Sequence, residues 1–197
     1  MRRFLYCFLI LFILSACTQN PNIEAEEDEI LSMENVKVPS TIFISEKQNS
    51  IINEEEIKLS IKTYLDSYED LTNASYPFFA IFDEEKELTK SELEKFEAIS
   101  KLTIENDENF SNYITNNTLP EAYQEESERI SQYITMSNEI LYEMINMADD
   151  LYQGIFPKVD IQSIMNKTNV VNGREQKKIE DFLDEKAIET KAFGRGE

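Results

Sequence analysis

Between Pro120 and Gly154 the chain has neither glycine nor proline, and one side of it repeats every seven residues. Tyr123, Ile130, Ser137, Met144 and Leu151 form one row; Ile134, Leu141, Ala148 and Ile155 form the companion row. On a helix of 3.6 residues per turn, both rows share a face. The stretch predicts one helix of about 34 residues, a rod of ~50 Å at 1.5 Å per residue. A stripe that long needs other helices along it, because burial and not propensity holds most helices together. The fold class that follows is all-α: an elongated helical bundle with one long central helix. All four glycines lie at or after Gly154, and the strand alternation of a large α/β binding protein is missing.

The partner helices announce themselves at their starts. Ile57, Ile61, Tyr64, Leu65, Tyr68 and Leu71 share one face, with Asn53 placed to cap, Glu56 three residues on, and Ile52 and Ile57 as a hydrophobic staple. The same arrangement at Leu88-Thr89-Lys90-Ser91-Glu92-Leu93 predicts a second start at Thr89. Thr118-Leu119-Pro120-Glu121 opens the long helix, with proline where its missing N–H does no harm. Residues 159–168 suggest a short helix. Asn172-Gly173-Arg174-Glu175 suggests a capped last one that buries Ile179, Phe182 and Leu183 and frays near Gly194. The domain is expected to span 50–193, with 194–197 a disordered tail. Tyr76, Phe78, Phe79 and Phe82, in 75–83, read as a loop between two helices: folded under the bundle as core, or, if exposed, a partner or lipid contact.

The N-terminus has a different grammar. Arg2 and Arg3 precede an apolar run of eleven residues, Phe4 to Leu14, too short to span a bilayer but suited to a secretory leader. It ends in Leu14-Ser15-Ala16-Cys17, which resembles the lipobox of bacterial lipoproteins. The resemblance implies that residues 1–16 are a signal peptide removed in the cell. It also implies that Cys17 carries the lipid and that the chain is held on the outer face of the cytoplasmic membrane. The one other cysteine, Cys7, lies in the leader, and the chain has no histidine. That leaves no Cys-based metal site, no His-ligated zinc and no Ser-His-Asp or Cys-His machinery; no cofactor or metal is expected.

The chain holds 19 basic and 39 acidic residues, a net charge of −20, and becomes more negative once Arg2 and Arg3 leave with the leader. Such a surface repels nucleic acid and anionic lipid head groups, so no nucleic-acid partner is expected. It serves solubility, or else it attracts a cationic partner. Residues 17–49 read as the lipidated cysteine, an acidic disordered tether over 18–35, and an apolar segment "KVPSTIFIS" (37–45) that is either extended and packed on the domain or a short strand. The tether reaches ~20–25 Å by the flexible-chain estimate.

The stretch "ENDENF" (105–110) contains Asn106-Asp107-x-x-Phe110. Together with the lipobox and the length, this element resembles the NDxxF-motif lipoproteins of low-GC Gram-positive bacteria. That resemblance implies a location and no particular activity. On a helix Asn106, Asp107 and Phe110 share one face. Phe110 then fills core while the polar pair bonds neighbouring backbone or caps a kinked half-helix; a ligand site is the alternative. Glu105, Asp107 and Asn109 alternate as in a calcium loop, but no glycine follows at the sixth position and no glutamate at the twelfth, which excludes an EF-hand.

At the other end, seven basic residues from Met165 onward balance seven acidic ones. Arg174, Lys177 and Lys178 crowd a helix start, where the dipole disfavours them. If the chain turns back after Gly154, Asp149 and Asp150 would lie close enough to pair with them.

The expectation for function is a non-enzymatic, membrane-tethered helical module of the cell envelope that acts through a protein partner or as a structural component. A small-ligand or cation-binding accessory to a transporter is the first alternative. A carboxylate-based cell-wall hydrolase is the second.

Overall fold

The computed structural model describes residues 33–79, 88–152 and 161–195; the side chains of 34, 144–152, 161, 162 and 164 are not among the described parts. Among the described residues five α-helices follow one another: α1 (Glu54–Phe79), α2 (Lys90–Thr115), α3 (Glu121–Tyr152), α4 (Ile161–Thr168) and α5 (Gly173–Glu185). Short 3₁₀ turns stand at Met33–Asn35 and Ala192–Gly194. Among the described residues there is no strand; a single parallel bridge joins Ile51 to Thr118.

The helix starts are local chemistry. The Asn53 side chain accepts the Glu56 N–H at 3.0 Å, and three glutamates fill the first turn of α1, where the dipole favours them. Ile52 and Ile57 are both buried in the main core. At α2 a capping box closes: the Thr89 hydroxyl accepts the Glu92 N–H at 3.3 Å and the Glu92 carboxylate accepts the Thr89 N–H at 2.8 Å. Its expected staple does not form. Leu93 stays 45% exposed, while Leu88 turns onto a second apolar cluster. Asn172 caps α5, accepting the Arg174 and Glu175 N–H groups at 3.1 Å each.

Two expectations change along the chain. The segment 75–79 is the end of α1 and not a loop, with Pro77 inside the helix. A mid-helix proline removes a backbone bond and crowds the preceding turn. Burial of Phe78 to 1% exposure and an edge-on contact of Phe79 with Phe96 offset that cost. Tyr76 faces solvent, and Phe82 lies outside the described residues. At the other end, the chain beyond α5 does not fray. Ile188 and Ala192 are buried, the Thr190 hydroxyl and the Lys191 N–H donate to Asp66 at 2.7 and 3.0 Å, and the docked segment runs to Arg195, past the boundary expected at Gly194.

α1, α2 and α3 pack side by side as antiparallel neighbours, and α5 lies on α3. On α3, Tyr123, Ile130 and Ile134 are fully buried beside the small Ser127 and Ser131. They share a core with Ile57, Ile61, Tyr64 and Leu65 of α1, Phe110 and Tyr113 of α2, and Ile179, Phe182 and Leu183 of α5. Met144, Ala148, Leu151 and Ile155 of the heptad rows lie outside the described side chains.

The return path puts α5 farther down α3 than a simple turn would. Lys167 of α4 pairs with Glu139 and Glu143 at 3.0 and 2.7 Å; eight residues later Glu175 meets Arg129 at 2.8 Å. The start of α5 therefore sits about 20 residues, or ~30 Å of helix, from Asp149. Its lysines pair locally, Lys177 with Asp181 and Lys178 with Glu175, and Arg174 is exposed. The side chains of Asp149 and Asp150 are outside the described set. Ile179, Phe182 and Leu183 are buried in the main core, each fully buried side chain being worth ~1.5–3 kcal/mol.

Candidate functional site

Before α1 the chain runs as an extended strap along the groove between α1 and α2. Val36 and Ile42 pack with Leu71 and Phe78 of α1 and Ile99 of α2. Farther on, Phe43 joins the main core, edge-on to Phe110 and Tyr113 at 5.4 and 5.3 Å between ring centres. An extended segment with no strand beside it must find partners for its peptide groups elsewhere.

Asparagines of α2 and its C-terminal turn provide them. The Asn106 side-chain oxygen accepts the Phe43 N–H at 2.9 Å, and the Asn109 amide donates to the Phe43 carbonyl at 3.0 Å. These residues are i and i+3, so one turn of α2 brackets one residue of the strap. Lower down, Asn117 accepts the Ser50 N–H at 3.0 Å and donates to the Lys47 carbonyl at 2.9 Å. The Asn116 carbonyl accepts from Asn49 at 2.7 Å.

The NDxxF element is the centre of this clamp. Asn106, Asp107 and Phe110 are buried, at 1%, 9% and 0% exposure. Asn106 also donates to the Tyr64 carbonyl at 3.4 Å, and Phe110 stacks flat on the Tyr64 ring at 4.1 Å and 3°. Asp107 bonds side chains and not backbone. Its two oxygens accept from the Tyr64 hydroxyl of α1 at 2.9 Å and the Asn138 amide of α3 at 2.8 Å, with a further bond from Thr135. One turn of α2 thus ties together the strap, α1 and α3.

Burial pushes the Asp107 carboxyl up to about 6, against the pull of its bonds from Asn138, Tyr64 and Thr135. Burial likewise holds the Tyr64 phenol well above its usual range, and the neighbouring Asp107 charge and bond add to this. Tyr64 therefore remains a donor at any physiological pH.

Sequence reasoning reaches Asn106, Asp107 and Phe110 but misses Asn109, Tyr64, Thr135, Asn138 and Phe43 as their partners. Asn138 carries a readable signal: a polar residue between Ile134 and Leu141 on an apolar stripe has a buried job to do. Leu14, Ser15, Ala16 and Cys17 lie outside the described residues.

A cavity of about 20 Å³, room for one water, lies beside Asn138, with Thr72, Ser75 and Thr103 in its walls. A wider open cleft of about 380 Å³ separates α3 from the start of α5. Both of its basic residues are paired: Arg129 bonds Glu125, Glu126 and Glu175, and Lys178 bonds Glu175. Among the described residues no group of three or more acids is placed to hold a metal, and no helix is long and apolar enough to cross a membrane. Compared with known proteins, the chain matches no family model, no curated protein and no solved structure.

Proposed function

We propose that the protein is a lipid-anchored, non-enzymatic helical module of the cell envelope. Cys17 would hold it on the outer face of the cytoplasmic membrane of a Gram-positive-type cell, and it would work through a protein partner or as a structural component. The bundle is elongated in this reading, a rod built along α3 and joined to the lipid by the acidic tether. The observation that carries the reading is the bracket that Asn106 and Asn109 place on Phe43. The segment fastened there is the one that leads back toward Cys17, so the clamp joins the anchor to the bundle and gives the NDxxF element a mechanical role.

The strap's early residues Met33 and Val36 pack beside Phe78, Leu88 and Ile99. Ile44, Ile51, Leu59 and Tyr76 are individually exposed apolar side chains of the kind a protein contact buries. A small-ligand or cation-binding accessory to a transporter is the second reading, and the lack of histidine in the chain counts against it.

The test is cell fractionation with fatty-acid labelling. The wild-type protein should carry label and sediment with membranes, and Cys17→Ala should lose the label and leave the membrane or remain unprocessed. An acyl-free Cys17→Ala protein that is processed and retained normally at the membrane would refute the anchor.

A further inference from the structure

Asp107 sits where α1, α2 and α3 meet. From α1 the Tyr64 hydroxyl bonds it and the Tyr68 phenol lies near; from α3 come Thr135 and Asn138, neither of which titrates. The strap approaches only with Phe43, against Phe110. On its own helix Glu105 and Glu108 are exposed. Among the described residues no lysine or arginine pairs with Asp107, although exposed acids in the same bundle do find one, as Glu125 does with Arg129. A buried carboxylate held by dipoles alone is costly to keep ionised. Once neutral, the carboxyl can still accept from Tyr64 while its O–H donates to the Thr135 oxygen; the bonds to it weaken, but the junction sheds the buried charge.

We propose that Asp107 is a proton-controlled joint: proton uptake in mildly acidic surroundings removes a buried charge from the α1–α2–α3 junction on which the strap clamp is built, and so stabilises the folded bundle. This concerns the folded bundle and stands whether or not Cys17 carries a lipid. The carboxyl titrates at about 6 in the fold, against about 4 when exposed. The folded state then binds the proton more tightly than the unfolded one, so stability falls as pH rises from about 4 through about 6. Between pH 7 and pH 5, Asp107 alone should raise the folded-to-unfolded ratio roughly tenfold. Glu69, raised by its own burial, acts in the same direction, so the contribution of Asp107 must be isolated by difference.

The experiment is urea unfolding of the intact chain in mild detergent at pH 5 and pH 7, as wild type and as Asp107→Asn, alongside a ¹³C carboxyl titration of the wild type. The wild type should gain roughly tenfold more on acidification than the variant, and the Asp107 midpoint should lie near 6. A midpoint near 4, or a variant that keeps the full gain, overturns the proposal. If Asp107→Asn does not fold, Tyr64→Phe serves instead. It removes a donor to the charged form and should move the Asp107 midpoint upward; an unmoved midpoint also overturns the proposal.

Discussion

Asn106 accepts the backbone N–H of Phe43 at 2.9 Å, across 63 residues of sequence. Three residues along α2, Asn109 donates to the carbonyl of the same Phe43. An asparagine side chain both donates and accepts, so a pair at this spacing can treat an extended residue as a neighbouring strand would. The aromatic ring of Phe43 then sinks between Phe110 and Tyr113 and adds apolar burial to the polar bracket.

Removing either half of this arrangement should be measurable. Phe110→Ala should cost ~3–5 kcal/mol in denaturant unfolding, because its cavity opens in the centre of the core. Asn106→Ala should cost ~1–3 kcal/mol, since it leaves the buried Phe43 N–H without a partner. Unchanged midpoints for both would mean that the motif serves a surface role and not a structural one.

The C-terminal segment offers a pH test of opposite sign to that of Asp107. Burial alone would raise Asp66, but bonds from Lys62, the Lys191 N–H and Thr190 outweigh it and hold the carboxyl below its usual value. Its contribution is therefore complete above about pH 4, where an unfolded aspartate is ionised, and is lost as the pH falls further. Asp66→Ala should cost ~1–3 kcal/mol at neutral pH and progressively less in acid. A wild-type-to-variant gap that stays constant down to pH 2 would contradict this.

Ala187 occupies the left-handed position that ends α5, with φ of 52°, while the Ile188 N–H reaches back to the Leu183 carbonyl at 2.8 Å. Glycine is the residue that suits this position. Ala187→Gly should raise stability by ~0.5–1 kcal/mol, as relief of the left-handed strain exceeds the extra freedom glycine gives the unfolded chain. Thermal melting checks it; a lower Tm would show that the methyl group packs usefully.

The legible parts of the fold were those whose causes lie within a few residues. Asn53 with Glu56, Thr89 with Glu92, and Asn172 with Glu175 are caps closed over three positions, and each marks a helix start correctly. The continuation of α1 through Pro77 was hidden, because what holds it is the distant contact of Phe79 with Phe96. The docking of residues 188–195 was hidden for the same reason: Asp66 meets Thr190 across 124 residues and leaves no period in the sequence. The placement of Arg174 to Lys178 went astray because the length α4 takes up along α3 cannot be read from composition. Within the site, one helix face was enough to group Asn106, Asp107 and Phe110, but their partners on α1, on α3 and in the strap are tertiary facts.

The central claim is that the NDxxF turn fastens the strap to the bundle, and amide hydrogen exchange at Phe43 in the intact protein tests it most directly. The bracket predicts that the Phe43 amide exchanges as slowly as the amides in the core of α2, while the exposed neighbouring amides Ile44 to Glu46 exchange quickly. A Phe43 amide exchanging at the rate of free peptide, with the helix cores still protected, would show that the strap is not held and would contradict the account.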